Sequence, residues 1–150
     1  MPGWAKGLLI ILAVVFALVI GAIVAGVIYV AHNKDAWRAK AREAVAEGRD
    51  FGSHSDNQGC VDETMSRYKR EPGFFSALKY QGFMDGCLEK SSPTSGFCDN
   101  IPLGDMMKMV AWRDGQCRRY DLANDRNCQQ LFMPVMMFCG EKKRNQSKSQ

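Results

Sequence analysis

Histidine is almost absent from this 150-residue chain: His32 and His54 are the only two. Its six cysteines include no Cys-x2-Cys pair. Structural zinc sites draw on close pairs of Cys or His ligands, so no metal site is expected. A thiol–disulfide catalyst normally carries a close cysteine pair of lowered pKa, and that is missing too. Alternating runs of strand length are scarce and no segment repeats, which leaves sheets and solenoids without a signal. Excess basic charge is missing from the middle of the chain. Residues 50 to 140 hold ten Lys or Arg against twelve Asp or Glu, so the net charge of +4 belongs to the two ends. A nucleic-acid reader wants a basic face on its folded unit, and no nucleic-acid partner is expected. The basic ends suit anionic lipid instead.

The longest absence is of charge itself. Residues 7 to 31, GLLIILAVVFALVIGAIVAGVIYVA, are twenty-five positions without a charged side chain. As a helix they cover the ~30 Å hydrocarbon core with some tilt. The apolar core of a cleavable signal is usually only ~7–15 residues long, so an uncleaved signal-anchor is expected. Within it Ala13, Ala17, Gly21 and Ala25 recur every four residues, with Ala22 and Gly26 as a second small pair. Such a stripe lets another helix approach closely, and close packing is what associates helices in lipid. The partners expected are therefore the lipid bilayer and, through this stripe, another membrane protein or a second copy of the chain. Trp4 and Tyr29 stand near the two ends, where aromatic rings suit the interface.

Two signals disagree about orientation. Lys6 alone precedes the span, whereas Lys34, Arg38, Lys40, Arg42 and Arg49 follow it. Positive charge tends to stay in the cytoplasm, which would put the C-terminal part inside. An even set of cysteines in a small domain favours disulfides, and those need an oxidising compartment. The cysteines carry the expectation: a cell-membrane protein with its C-terminal domain periplasmic or extracellular.

Beyond the span the chain divides by composition. Residues 1–6 form a tail, 7–31 the span, and 32–48 a helical juxtamembrane stalk without Pro, ended by Gly48. In the stalk, Trp37 and the basic stems suit lipid headgroups, and they suit a plain solvated helix equally well. Residues 49–58, rich in Gly, Ser, Asp and Asn, read as a linker. Residues 59–140 form the cysteine domain, and 141–150, with four basic side chains and nothing apolar, a disordered tail. Four helical segments are expected in the domain. Cys60 to Arg70 is capped by Asp56 or Asn57, with Asp62 and Glu63 in its first turn. Phe74 to Glu89 follows Pro72-Gly73 and buries Phe74, Leu78, Met84 and Leu88. Leu103 to Arg119 carries Met106, Met109, Val110 and Arg113 or Cys117 at helical spacing. Ala123 to Cys139 turns Cys128, Leu131, Phe132, Val135, Phe138 and Cys139 inward, with Pro134 kinking or splitting it. The fold class is thus all-α: one N-terminal transmembrane helix and a small, disulfide-stapled domain of helical hairpins.

Helix phase and hairpin symmetry pair the cysteines. Cys117 and Cys128 lie either side of a turn near Leu122. Cys98, before the third helix, can meet Cys139 at the end of the fourth, and Cys60 and Cys87 bracket the first hairpin. The ten-residue gaps between Cys87 and Cys98, Cys117 and Cys128, and Cys128 and Cys139 resemble the twin-cysteine hairpins of small mitochondrial intermembrane-space proteins. The likeness is one of geometry rather than kinship: their usual gap is one residue shorter, and they have no membrane span.

Six methionines gather in Met106-Met107-Lys108-Met109 and Met133-Pro134-Val135-Met136-Met137. Soft thioethers select Cu(I). Methionine is also the adaptable filler of irregular cores and of binding surfaces; at helical spacing, without His or free Cys beside it, core packing is the expected role. Ser53-His54-Ser55-Asp56 has the residue types of a hydrolytic triad, but on a flexible linker it holds no fixed geometry. No enzyme and no cofactor are expected. The expected function is a membrane-anchored, non-catalytic interaction or accessory subunit of a membrane or envelope assembly. The alternative is an envelope protein that handles copper or thiol redox.

Overall fold

The computed structural model describes residues 3–148, without the side chains of residues 3–6, 8, 9, 33, 34 and 37. The expected placements of Trp4, Lys6, Lys34 and Trp37 fall outside what it describes. Among the described residues there are six helices and no strand. They are α1 (Gly3–Gly52), α2 (Asn57–Arg70), α3 (Phe74–Lys90), α4 (Met106–Arg119), α5 (Cys128–Leu131) and α6 (Met133–Lys148). The chain separates into two compact units, Met1–Ala39 and Lys40–Gln150.

The first unit is the N-terminal part of α1. Its stretch Ile10–His32 is 23 residues long, with a mean hydropathy of 3.1 and no side chain buried. At ~1.5 Å per residue it is long and apolar enough to cross a membrane.

The second unit begins with the last turns of α1, which pass Gly48 without stopping. Gly48 is there for proximity rather than termination. A Cβ at Gly48 would collide with the backbone oxygen of Phe83, one at Gly52 with that of Cys87, and one at Gly86 with that of Val45. Ala44, Gly48 and Gly52 recur every four residues on α1 and face Gly82 and Gly86 on α3. The two backbones therefore lie almost in contact, as small residues permit. This corrects the linker: its first four positions are helical, and the turn is confined to Ser53–Asp56.

Asp56 caps α2 by accepting from the Gly59 amide at 2.7 Å. The helix starts at Asn57, so Asp62 and Glu63 lie one turn deeper than expected. Asn57 is buried and fully partnered. Its amide donates to the Ser92 carbonyl at 3.0 Å. Its Nδ2 donates to Ser91 Oγ at 2.7 Å, and its Oδ1 accepts from the Thr94 amide at 3.0 Å. These bonds close the α2–α3 hairpin at the end opposite Pro72-Gly73.

The core gathers Met65, Tyr68, Ala77, Phe83, Met84 and Leu88 from that hairpin with Leu131 of α5, Phe132 just after it, and Val135 and Met136 of α6. Phe74 and Leu78 are not in it. Both are exposed, as is Phe75, because α3 turns Ala77, Tyr80, Phe83 and Met84 inward instead. Met106 and Val110 are exposed too. α4 starts at Met106, capped by Asp105, and lays Met109 and Trp112 on the core with Cys117 buried. The fourth expected helix is two, broken at Phe132 so that Pro134 falls in the first turn of α6, where its missing N–H costs nothing. The C-terminal tail is helical through Lys148, with every side chain from Glu141 to Lys148 exposed.

Three disulfides staple the layers. They join Cys60 to Cys87, Cys98 to Cys139 and Cys117 to Cys128, with Cα separations of 5.7, 5.4 and 6.0 Å. Arg67 ties α1 to the hairpin. It pairs with Glu63 at 2.7 Å and with Glu47, and its guanidinium lies 4.3 Å from the centre of the Phe83 ring. Burial alone would lower its pKa, but the two carboxylates outweigh that and raise it.

Candidate functional site

Two features of the stapled domain present chemistry to solvent: a small cleft beside α4 and an apolar face across α4 and α6. The cleft lies where α2, the irregular segment 94–101 and α4 come together. Gln58 and Val61 of α2, Thr94 to Phe97 of the segment, and Trp112, Gln116 and Arg119 of α4 line it, with Ile101, Phe132 and Val135 at its base. Its volume is about 230 Å³, below the ~300–1,000 Å³ of typical small-molecule sites. It suits one side chain of a partner, with amide groups and a guanidinium to orient it. A hydrogen-bonded triad stiffens its rim. Gln58 Nε2 donates to Asp62 Oδ1 at 3.0 Å, and Tyr120 Oη donates to the same oxygen at 2.6 Å. Burial, reinforced by Asp62, raises the Tyr120 pKa and keeps that proton in place.

The apolar face follows from helix spacing. Met106, Val110 and Arg113 fall at i, i+4 and i+7 on α4, and Met133 and Met137 at i and i+4 on α6. Arg113 Nη1 lies 3.1 Å from Met133 Sδ, which joins the two rows. The Nε of Arg113 is buried without a hydrogen-bond partner. Met107 is 80 % exposed and Met137 61 % exposed, whereas Met136 is 8 % exposed and belongs to the core. The two methionine runs thus divide between filling the interior and facing outward.

The other sequence candidates fall as follows. All six cysteine sulfurs are bonded to one another. Among the described residues no group of three or more His, Cys, Asp or Glu side chains is placed to hold a metal ion. Ser53 Oγ lies 2.8 Å from His54 Nδ1 but donates to the Asp50 carbonyl at 2.7 Å. Asp56 is turned away to cap α2, so the triad-like string is a local turn. Ala13, Ala17, Gly21 and Ala25 are all exposed along α1, and a Cβ at Gly21 would meet nothing within 4 Å. Sequence reasoning missed the cleft, whose lining converges from four separate segments. It also read the Met106–Val110 spacing as a core face.

No protein-family model, curated protein or solved structure matches this chain. Its function is argued from its own residues.

Proposed function

We propose that the chain is a single-pass membrane protein whose stapled helical domain stands outside the cytoplasm and serves as a non-catalytic accessory subunit. The exposed methionine face of α4 and α6 carries the reading. A domain with a filled core still leaves Met106, Met107, Met133 and Met137 exposed, beside an arginine with an unsatisfied nitrogen. Flexible, polarisable side chains that re-pack against a partner suit a protein-binding surface. Three disulfides support the external placement, because the cytosol keeps thiols reduced. Ile10–His32 supplies the anchor, and its small-residue stripe a second place for a partner helix.

Co-purification in mild detergent tests the reading. Met106→Lys and Met137→Lys each put a charge on the face without touching the core, so the fold and the bridges stay intact and retention of the partner falls. Gly21→Leu tests the stripe, with Ile20→Leu as its control. A partner retained equally by all four variants would defeat both proposed surfaces.

A further inference from the structure

We propose that the Phe74–Phe75–Leu78 tip of α3 seats in the headgroup boundary of the bilayer that holds this chain's own span. The proposal rests on the anchored reading above and adds a second membrane contact, made by the stapled domain itself.

The direction of the helices inside the domain leads to it. Along the last turns of α1, Ala41 lies against Gly82, Val45 against Gly86, and Gly52 against Cys87. Arg49 also pairs with Glu89 at 2.8 Å. The two helices therefore run in the same sense. The start of α3 lies eight residues before Gly82, roughly 12 Å back along its axis. That is the end of the domain at which the chain comes in at Lys40. Only residues 33–39 separate Lys40 from His32, the last residue of the span. Even fully extended they reach no further than about 25–30 Å, whatever angle the domain takes. A tether this short holds the tip at a high effective concentration near the bilayer.

The tip is built for such a boundary. Phe75 is 65 % exposed and packs edge-on against Phe74 at 5.5 Å between ring centres. Both rings lie in the first turn of α3, just after the Pro72-Gly73 break, with Leu78 one turn on. The core does not use them. Basic side chains flank them. Lys69 and Arg70 end the antiparallel α2, and Lys79 lies next to Leu78 with its Nζ 5.1 Å from the centre of the Tyr80 ring. Glu71, Asp121 and Asp125 are the acidic neighbours. Glu71 accepts from Tyr80, Asp121 pairs with Lys69 and Asp125 accepts from Tyr68, so all three carboxylates are engaged within the domain. Aromatic rings below a fringe of long basic stems match acyl chains below phosphates.

The test uses the full chain in phosphatidylcholine–phosphatidylglycerol vesicles, with p-benzoylphenylalanine placed singly at position 75, 19 or 90. Position 19 lies in the span, and Lys90 is an exposed residue at the opposite end of α3. Irradiation followed by intact-mass measurement should show lipid adducts at 75 and 19 and none at 90. Adducts at 19 without adducts at 75 would overturn the docking and leave the anchor standing. A protein adduct at 75, to a second copy or to another subunit, overturns it as well. Absence of lipid at 19 removes the anchor, and the docking with it. In a further variant the reporter sits at position 78 and both rings are removed by Phe74→Ser and Phe75→Ser. Both rings are exposed, so helicity and bridges should not change. The yield of lipid adduct should fall on the order of tenfold, the value of two half-buried aromatic rings. An unchanged yield defeats the proposal.

Discussion

Gly82 and Gly86 sit one turn apart on α3 and look interchangeable in the sequence. They are not interchangeable in the packing. A Cβ at Gly82 would find its nearest neighbour, Val45 Cγ2, at 3.5 Å, an ordinary contact. At Gly86 it would strike the Val45 backbone, which cannot move without shifting α1. Gly86→Ala should therefore destabilise the domain by about 1–3 kcal/mol, the usual cost of overpacking. Gly82→Ala should be neutral or gain a few tenths of a kcal/mol from helix propensity. Paired denaturant melts decide it, and equal effects would rule out the close crossing. Tyr68 gives a second residue-scale prediction. Its hydroxyl donates to Asp125 at 2.6 Å. Burial first, and that bond second, push its pKa up from 10.0 to about 12. The folded chain keeps this proton over a range in which the unfolded chain has lost it. The stability Tyr68 contributes is thus complete below the unfolded value and lost as pH rises through the folded one. Tyr68→Phe should flatten the alkaline fall in stability across that window. A fall as steep as in the wild type would place its cause elsewhere.

At the scale of elements the disulfides carry the weight that a small core cannot. Cys98–Cys139 spans 41 residues of sequence and Cys117–Cys128 only 11. If constraint of the unfolded chain dominates, losing the longer bridge costs about 4 kcal/mol and the shorter about 3. The pair Cys98→Ser and Cys139→Ser should also release segment 94–101, and hydrogen exchange there should quicken while the Asn57 amide stays protected. If Cys117→Ser with Cys128→Ser proves the more damaging pair, strain or local structure outweighs loop length. These elements show what the sequence could disclose. The cap of α2 is announced by Asp56, whose side chain bonds in the next turn, although the helix begins three residues before the expected Cys60; the start expected at Leu103 falls instead at Met106, where Asp105 caps it. The cysteine partners follow from helix phase, because each bridge closes a hairpin between neighbouring segments. What stayed hidden depends on contacts distant in sequence. Gly48 reads as a stop until Phe83 is known to lie against it. Phe74 and Leu78 read as core because periodicity reveals a face, not what covers it. The polar end of α6 reads as disordered by composition, although it continues a helix whose first turns are locked by Val135, Met136 and Cys139.

For the whole molecule the open contest is between charge and cysteine. Arg38, Lys40, Arg42 and Arg49 follow the apolar stretch, and by the usual bias they would hold the domain in the cytoplasm. That bias is a rule for short loops, and whole domains translocate largely regardless of charge. The cysteine argument is chemical. Five of the six half-cystines are buried and the sixth is half-buried. In a reducing compartment the same sites would hold six thiols in a domain of modest core, each bridge worth ~2–4 kcal/mol then being absent. The domain should therefore be stable only where it can oxidise. On intact spheroplasts, a membrane-impermeant protease should remove the domain from its anchor. After denaturation without reductant, a maleimide should find no thiol to label. With reductant added first, it should label all six. Protection from protease until lysis, with six thiols reactive at once, would place the domain inside and leave the charge bias as the stronger signal. Protease access combined with free thiols would keep the placement but remove the bridges, and the stability of so small a helical domain would then have to come from its partner.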